Sequence, residues 1–110
     1  MIEKIVMDYL DDVMDDPAYM QEQDDEDRYY VVLKVGSGNV NRIDSAMIEV
    51  QSYAPSRYQA AQMNYAMIEA MDNIVTLDAI GSCKKNSDYD YTDTTKKGYR
   101  YQALFEIVHY

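Results

Sequence analysis

The chain has 110 residues, of which 47% are apolar and 27% charged, so we expect one globular domain over residues 1–110 and no wholesale disorder. The formal net charge of −10 lies entirely in residues 1–27, because residues 28–110 contain equal numbers of acidic and basic groups. With few clustered lysines or arginines and no apolar run of about 18 residues, tight binding to nucleic acid and insertion into a membrane are both disfavoured.

An amphipathic helix is predicted at the start of the chain. Apolar residues recur at three- and four-residue intervals from Ile2 to Val13, and acidic residues occupy most of the other positions. Pro17 is expected to end this helix at Asp16, because the residue before a proline disfavours the α conformation. A short extended piece over 18–21 and a solvated acidic loop over 23–27 are predicted next.

A β-hairpin is predicted in the next part of the chain. Residues 29–35 are mostly β-branched or aromatic and indicate a strand, and residues 42–53 alternate between apolar and polar side chains. The run from Gly36 to Asn39 predicts the turn between them. Apolar residues on both faces near Tyr30 and Met47 suggest that the second face is partly covered, for example by another subunit.

A second helix and a second hairpin complete the predicted fold. The helix runs from an N-cap at Ser56 or in the preceding turn to about Val75, and strands are predicted over 77–83 and from Tyr99 to the last residue, with a turn-rich connection over 84–97. The apolar stripe of the helix is predicted to contain Ala60, Ala61, Met63, Tyr65, Met67, Ile68, Ala70, Met71 and Ile74. The fold class is therefore α+β, with two helices packed on one mostly antiparallel sheet.

Few side chains in the sequence are suited to catalysis or metal binding. His109 is next to the last residue, and Cys83 is a lone cysteine that cannot form an internal disulfide, which favours a reducing cytosolic compartment. Asp88, Asp90 and Asp93 superficially resemble a calcium loop but lack its glycine and terminal glutamate. We therefore expect no enzyme activity, no cofactor and no specific metal site.

Tyrosine is used far more than the other aromatic residues, with twelve tyrosines, one phenylalanine and no tryptophan. Tyrosine suits surfaces that are buried only part of the time and is enriched in protein–protein contacts. It also suits the half-buried face of a sheet above a shallow core. The composition alone leaves both interpretations open.

Three sets of segments in the second part of the chain are distinctive: Ile48–Ala54 followed by Ser56, Ala60-Ala61, Asn64 and Ala70-Met71-Asp72; Asn86-Ser87-Asp88-Tyr89 with Thr92-Asp93-Thr94; and Tyr99–Ala103 through Ile107–Tyr110. These segments resemble a family of small head–tail joining proteins of tailed phages and prophages, within which the tail-terminator, or tail-completion, group is the nearest. The resemblance covers residues 28–110 and contains no catalytic motif.

The resemblance implies a structural subunit that forms a ring, typically a hexamer, in the virion neck after assembly in the host cytoplasm. Such a ring caps the tail tube, contacts the tail tube protein and the head-completion protein, and lets DNA pass without specific binding. A closed ring needs two different complementary patches on each subunit. From composition and placement we select four candidate interface residues: Tyr29, Tyr30, Tyr89 and Tyr91.

The acidic segment has two interpretations. Four aspartates are candidates either for a channel face that repels DNA phosphates or for an ordinary solvated face: Asp11, Asp12, Asp15 and Asp16. Two alternatives to a tail terminator also remain open at this point. One is a head-completion or connector protein of the same neck, and the other is a small acidic binding module that mimics nucleic acid.

Overall fold

The computed structural model describes residues 1–96 and 98–110. In chain order, the described elements are α1 (Ile2–Val13), β1 (Ala18–Tyr19), β2 (Tyr29–Val40), β3 (Ile43–Ala54), α2 (Arg57–Asp72), a 3₁₀ turn (Ile74–Thr76), β4 (Ile80–Asp90) and β5 (Tyr99–His109). The five strands form one sheet in the order β1-β2-β3-β5-β4. Among the described strand pairs, the short β1–β2 pair is parallel and the other three are antiparallel. The fold is α+β, as predicted.

The core lies between one face of the sheet and the two helices. Tyr30 and Val32 of β2, with alternate residues of β3 and β5, supply the sheet side, because successive side chains of a strand point to opposite faces. The helix side contains Ile2, Val6 and Leu10 of α1 and Ala60, Met63, Met67 and Met71 of α2. The Tyr9 hydroxyl also donates a 2.7 Å hydrogen bond to the Ala70 carbonyl, which ties α1 to α2.

Helix α1 is confirmed, but it ends earlier than predicted. Its last residue is Val13, and Met14 has an extended backbone, whereas Pro17 had been expected to set the end at Asp16. The buried residues of α1 lie four apart and end at Leu10. Met14 packs against the core from an extended backbone, so the chain keeps this contact without another helical turn. Asp15 and Asp16 therefore lie beyond the helix.

The turn of the first hairpin lies in a different place from the prediction. Strand β2 continues through Gly36 and Gly38 to Val40, with a register shift between Lys34 and Gly36. The chain reverses at Asn41 and Arg42, which have φ values of 54° and 68°. A two-residue hairpin turn with positive φ at both positions matches the right-handed twist of the strands. A turn over Gly36–Asn39 would not place β2 in this register with β3.

Helix α2 begins where the sequence predicts, because Ser56 caps it. The Ser56 hydroxyl accepts a 3.2 Å hydrogen bond from the Gln59 amide, and the Ser56 backbone is extended. The helix ends at Asp72, three residues before the predicted end, and the chain continues as the 3₁₀ turn.

Replacing Ser56 with alanine is expected to lower the free energy of unfolding by about 1 kcal/mol, because the Gln59 amide loses its acceptor. Urea unfolding followed by circular dichroism measures this change. Ser37→Ala on the exposed part of β2 is the matched control and is expected to change stability by less than about 0.5 kcal/mol. Equal stability of the two variants would contradict the cap.

The second hairpin is longer than predicted. Strand β4 runs to Asp90, although Lys84–Asp90 had been assigned to a turn-rich connection over 84–97. β4 is an edge strand of the described sheet and pairs with β5. Most of its side chains are polar, which an edge strand tolerates. The connection itself is limited to the residues between Asp90 and Tyr99, and the end of the predicted range, Lys97, lies outside the described residues.

None of the helices in residues 1–96 and 98–110 is both long and apolar enough to span a membrane.

Candidate functional site

The structure corrects the prediction for Tyr29 and Tyr30. Tyr30 points into the core, is 1% exposed, and donates a hydrogen bond from its hydroxyl to the Met63 carbonyl. Tyr29 lies on the opposite face of the sheet and is also buried, with its ring stacked on that of Tyr53 at a centroid distance of 4.7 Å. Because the chain itself covers both rings, little of either is left for contact with a second molecule.

Tyr89 and Tyr91 remain available as contact residues. Both rings are exposed, and they meet edge to face with centroids 5.7 Å apart. The Arg100 guanidinium lies 4.7 Å from the centre of the Tyr91 ring and donates a hydrogen bond to the Tyr91 carbonyl. The cluster is thus a rigid aromatic and cationic patch where β4 leads into the following connection.

A second aromatic patch on α2 was missed by the sequence analysis. Tyr65, which had been placed in the apolar stripe of this helix, is 69% exposed, and Tyr58 is exposed to a similar extent. The two tyrosines are seven residues apart and therefore share one side of the helix. At about 100° per residue, Tyr65 lies on the far side from the stripe that contains Met63 and Met67, so the helical phase was the signal that could have identified this patch.

The four candidate aspartates do not form one face. The Asp11 carboxylate accepts a 3.1 Å hydrogen bond from the Ala18 amide, and Asp16 forms an ion pair with Arg28 at 3.2 Å. Asp12 and Asp15 are exposed, and neither forms an ion pair within residues 1–96 and 98–110. Asp11 and Asp16 therefore form contacts within the fold, whereas Asp12 and Asp15 remain free to interact with their surroundings.

A cleft of about 500 Å³ lies at the end of the sheet where Tyr29 pairs with Tyr53. We call it the acidic cleft. Its walls combine carboxylates, aromatic rings and two described cations: Glu22, Asp24, Glu26, Asp27 and Asp93; Tyr29, Tyr53 and Tyr99; and Lys96 and Arg100. A cavity of this size with convergent polar groups is typical of a binding site.

Hydrogen bonds fix two walls of the acidic cleft. The Tyr53 hydroxyl donates to the Glu22 carboxylate at 2.8 Å, and this bond, with the nearby Lys96, lowers the pKa of Glu22. Arg100 donates to the same hydroxyl at 3.0 Å. Burial is the main cause that raises the pKa of Tyr53 to about 12. The cleft is therefore preorganised around a neutral tyrosine ring and an ionised glutamate at neutral pH.

Neither Cys83 nor His109 lines the acidic cleft. Burial raises the pKa of Cys83 to about 11, so its thiol is mostly protonated at neutral pH and is a poor nucleophile. His109 pairs in register with Asp44 of β3 and Ile80 of β4, at the end of the sheet remote from the acidic cleft. No group of three or more potential metal ligands is found within the part of the chain that the structure describes.

Comparison with known proteins does not assign the chain to a family. No protein-family model matches the chain, and no curated protein matches it at a significant level.

Proposed function

We propose that the chain is a structural subunit of the head–tail neck of a tailed phage, acting as a tail terminator whose ring caps the tail tube. The observation that carries the proposal is the amount of aromatic and apolar surface left uncovered on a chain whose core is already complete. These exposed side chains lie on the first hairpin, on α2 and around the end of β4, and they include Val40, Ile43, Tyr58, Tyr65, Tyr89 and Tyr91. Exposed aromatic patches on a small domain favour protein–protein contact.

The resemblance noted in the sequence supports the same role. Its first segment, Ile48–Ala54, lies on β3, whose position between β2 and β5 makes it central to the sheet. The last segment begins at Tyr99 and runs along β5, which lies between β3 and β4. The resemblance thus includes two internal strands of the sheet, together with parts of α2 and of the edge strand β4. The proposed partners are other copies of the chain, the tail tube protein and the head-completion protein.

The proposal predicts that the chain stops the growth of tail tubes. Tube protein from the same genome is polymerised with and without the chain, and tube length and end structure are measured by electron microscopy. A ring of density on one tube end and shorter, uniform tubes are expected. Unbound chain and unchanged tubes would contradict the terminator role. Binding to portal-attached neck proteins instead of the tube would indicate a connector.

The proposed passage of DNA gives a separate prediction for the two free aspartates. If Asp12 and Asp15 face the channel, the Asp12→Asn/Asp15→Asn ring is expected to retain DNA several-fold more at low salt, because phosphate repulsion is lost. The control is Asp72→Asn/Asp78→Asn, which removes the same charge from other exposed positions. Gel retention over a salt series measures the effect. Equal retention by the two variants would assign Asp12 and Asp15 to a solvated outer face.

A nucleic-acid mimic is the alternative that one specific observation favours. The loop Glu22–Asp27 carries five carboxylates but forms only one ion pair, Glu22 with Lys96, within the described residues. Such a loop is suited to a basic partner. A chain that remains monomeric, ignores tail tubes and competes with DNA for a basic host protein would support this alternative over the ring.

A further inference from the structure

The free end of the β2–β3 hairpin exposes apolar side chains that the domain does not cover. Val40 is 70% exposed and Ile43 is 47% exposed, and they face each other as a cross-strand pair next to the turn. Between them lies Arg42, which is exposed and forms no ion pair with any described residue. We call residues 40–43 the hairpin tip. It combines a small apolar patch with a free positive charge.

The sequence of the hairpin tip is not the most stable one for its backbone conformation. Arg42 has a φ of 68°, a conformation that glycine adopts with least strain and that asparagine–glycine turns of this type normally use. An arginine at this position therefore costs stability and gains no intramolecular ion pair in return. An exposed arginine held at this cost is available for contact with a second molecule.

The acidic cleft lies at the opposite end of the same hairpin. In the β2–β3 register, Tyr29 pairs with Tyr53 at the cleft and Val40 pairs with Ile43 at the tip. A strand of twelve residues separates the two ends by about 36 Å, so the hairpin tip cannot reach the cleft of its own chain. The two features are nevertheless complementary, because one is cationic and apolar and the other is acidic and lined by tyrosine rings.

We propose that the hairpin tip of one copy inserts into the acidic cleft of the next copy. Arg42 would pair with the carboxylates of Asp24 and Asp27, and Val40 and Ile43 would pack against the exposed parts of Tyr53 and Tyr99. This contact joins two different surfaces, so repetition produces a closed ring if the rotation closes and a filament if it does not. The inference rests on the proposed function, in which copies of the chain assemble with one another, and it names the surfaces that do so.

Exchanging the charges of the hairpin tip and the acidic cleft tests the proposed contact between them. Arg42→Glu alone and Asp24→Arg/Asp27→Arg alone are each expected to weaken self-association about 100-fold, because like charges then meet in the cleft. An equimolar mixture of the two variants is expected to recover association, since each tip is complementary to the cleft of the other chain. Light scattering measures the assemblies, and native mass spectrometry measures their one-to-one composition. Lys84→Glu changes the charge equally on exposed β4 and is expected to have no effect.

Arg42→Gly provides a second test that separates folding from contact. This variant is expected to unfold at a higher temperature, because glycine relieves the positive φ, and yet to associate at least tenfold more weakly. If both Arg42 variants assembled as strongly as the wild type, the tip-to-cleft contact would be overturned and the ring proposal would remain. A wild-type chain that stays monomeric alone and on tail tubes would overturn both.

Discussion

Replacing Tyr30 with alanine is expected to lower the free energy of unfolding by about 3–5 kcal/mol, the cost of removing a large aromatic side chain from a packed core. Tyr30 is among the largest fully buried side chains, and its hydroxyl bonds to the Met63 carbonyl across to α2. The variant therefore loses apolar contacts and leaves a cavity between the sheet and α2. Urea unfolding measures the loss.

The control for this prediction is Tyr65→Ala, which removes the same atoms from an exposed position on α2. It is expected to change stability by no more than about 0.5 kcal/mol. Similar losses in the two variants would show that Tyr30 is not a core residue. If Tyr30→Ala instead remained stable and lost its ability to associate, the residue would return to the candidate interface.

Alkaline pH is expected to unfold the protein through its buried tyrosines. Burial raises the pKa of Tyr30 above its ordinary range and that of Tyr53 to about 12. A hydrogen bond to Glu26 is the main cause that raises the pKa of Tyr19, also to about 12. The unfolded chain therefore releases these protons at lower pH than the folded chain does. The stability that they contribute is complete below about pH 10 and is lost as pH rises through about 12.

Tyrosinate absorbance and circular dichroism measured together during an alkaline titration test this prediction. We expect part of the absorbance change to appear only with loss of secondary structure, as one cooperative step. Tyr53→Phe is expected to shift the midpoint upward, because one of the groups that must ionise is removed. Complete ionisation of all twelve tyrosines before any loss of structure would contradict the burial of these rings.

The periodic elements were predictable because burial imposes a period on the sequence. The stripe of α1 and the methionines of α2 identify both helices, and the alternation from Tyr99 onward identifies β5. The ends were less predictable. Proline marks the last place where α1 can continue, but the helix stops at Val13, and Met14 packs against the core with an extended backbone.

The hairpin turns were mispredicted because local turn signals compete with strand pairing. Gly36 and Gly38 indicate a turn in the sequence, yet both extend β2, because cross-strand hydrogen bonds with β3 fix their backbone. The true turn contains Arg42, which has no intrinsic preference for positive φ. Likewise, the polar run from Lys84 to Asp90 forms an edge strand, which needs little apolar surface.

The candidate site was the least predictable part. Tyr29 and Tyr30 look like surface aromatics in sequence, but the two faces of β2 are covered by different parts of the chain, so both are buried. Tyr89 and Tyr91 are exposed, in keeping with the candidate role assigned to them. The acidic cleft joins Glu22 to Tyr53 and Arg100, residues far apart in sequence, and no local pattern indicates that they meet.

The most direct test of the proposed ring is the mass of the wild-type assembly, measured by light scattering with and without tail tubes. We expect a discrete particle several times heavier than the 12.8 kDa chain, with six copies, either in solution or on the tube end. A particle of one subunit mass at every concentration, with no binding to tubes, would contradict it.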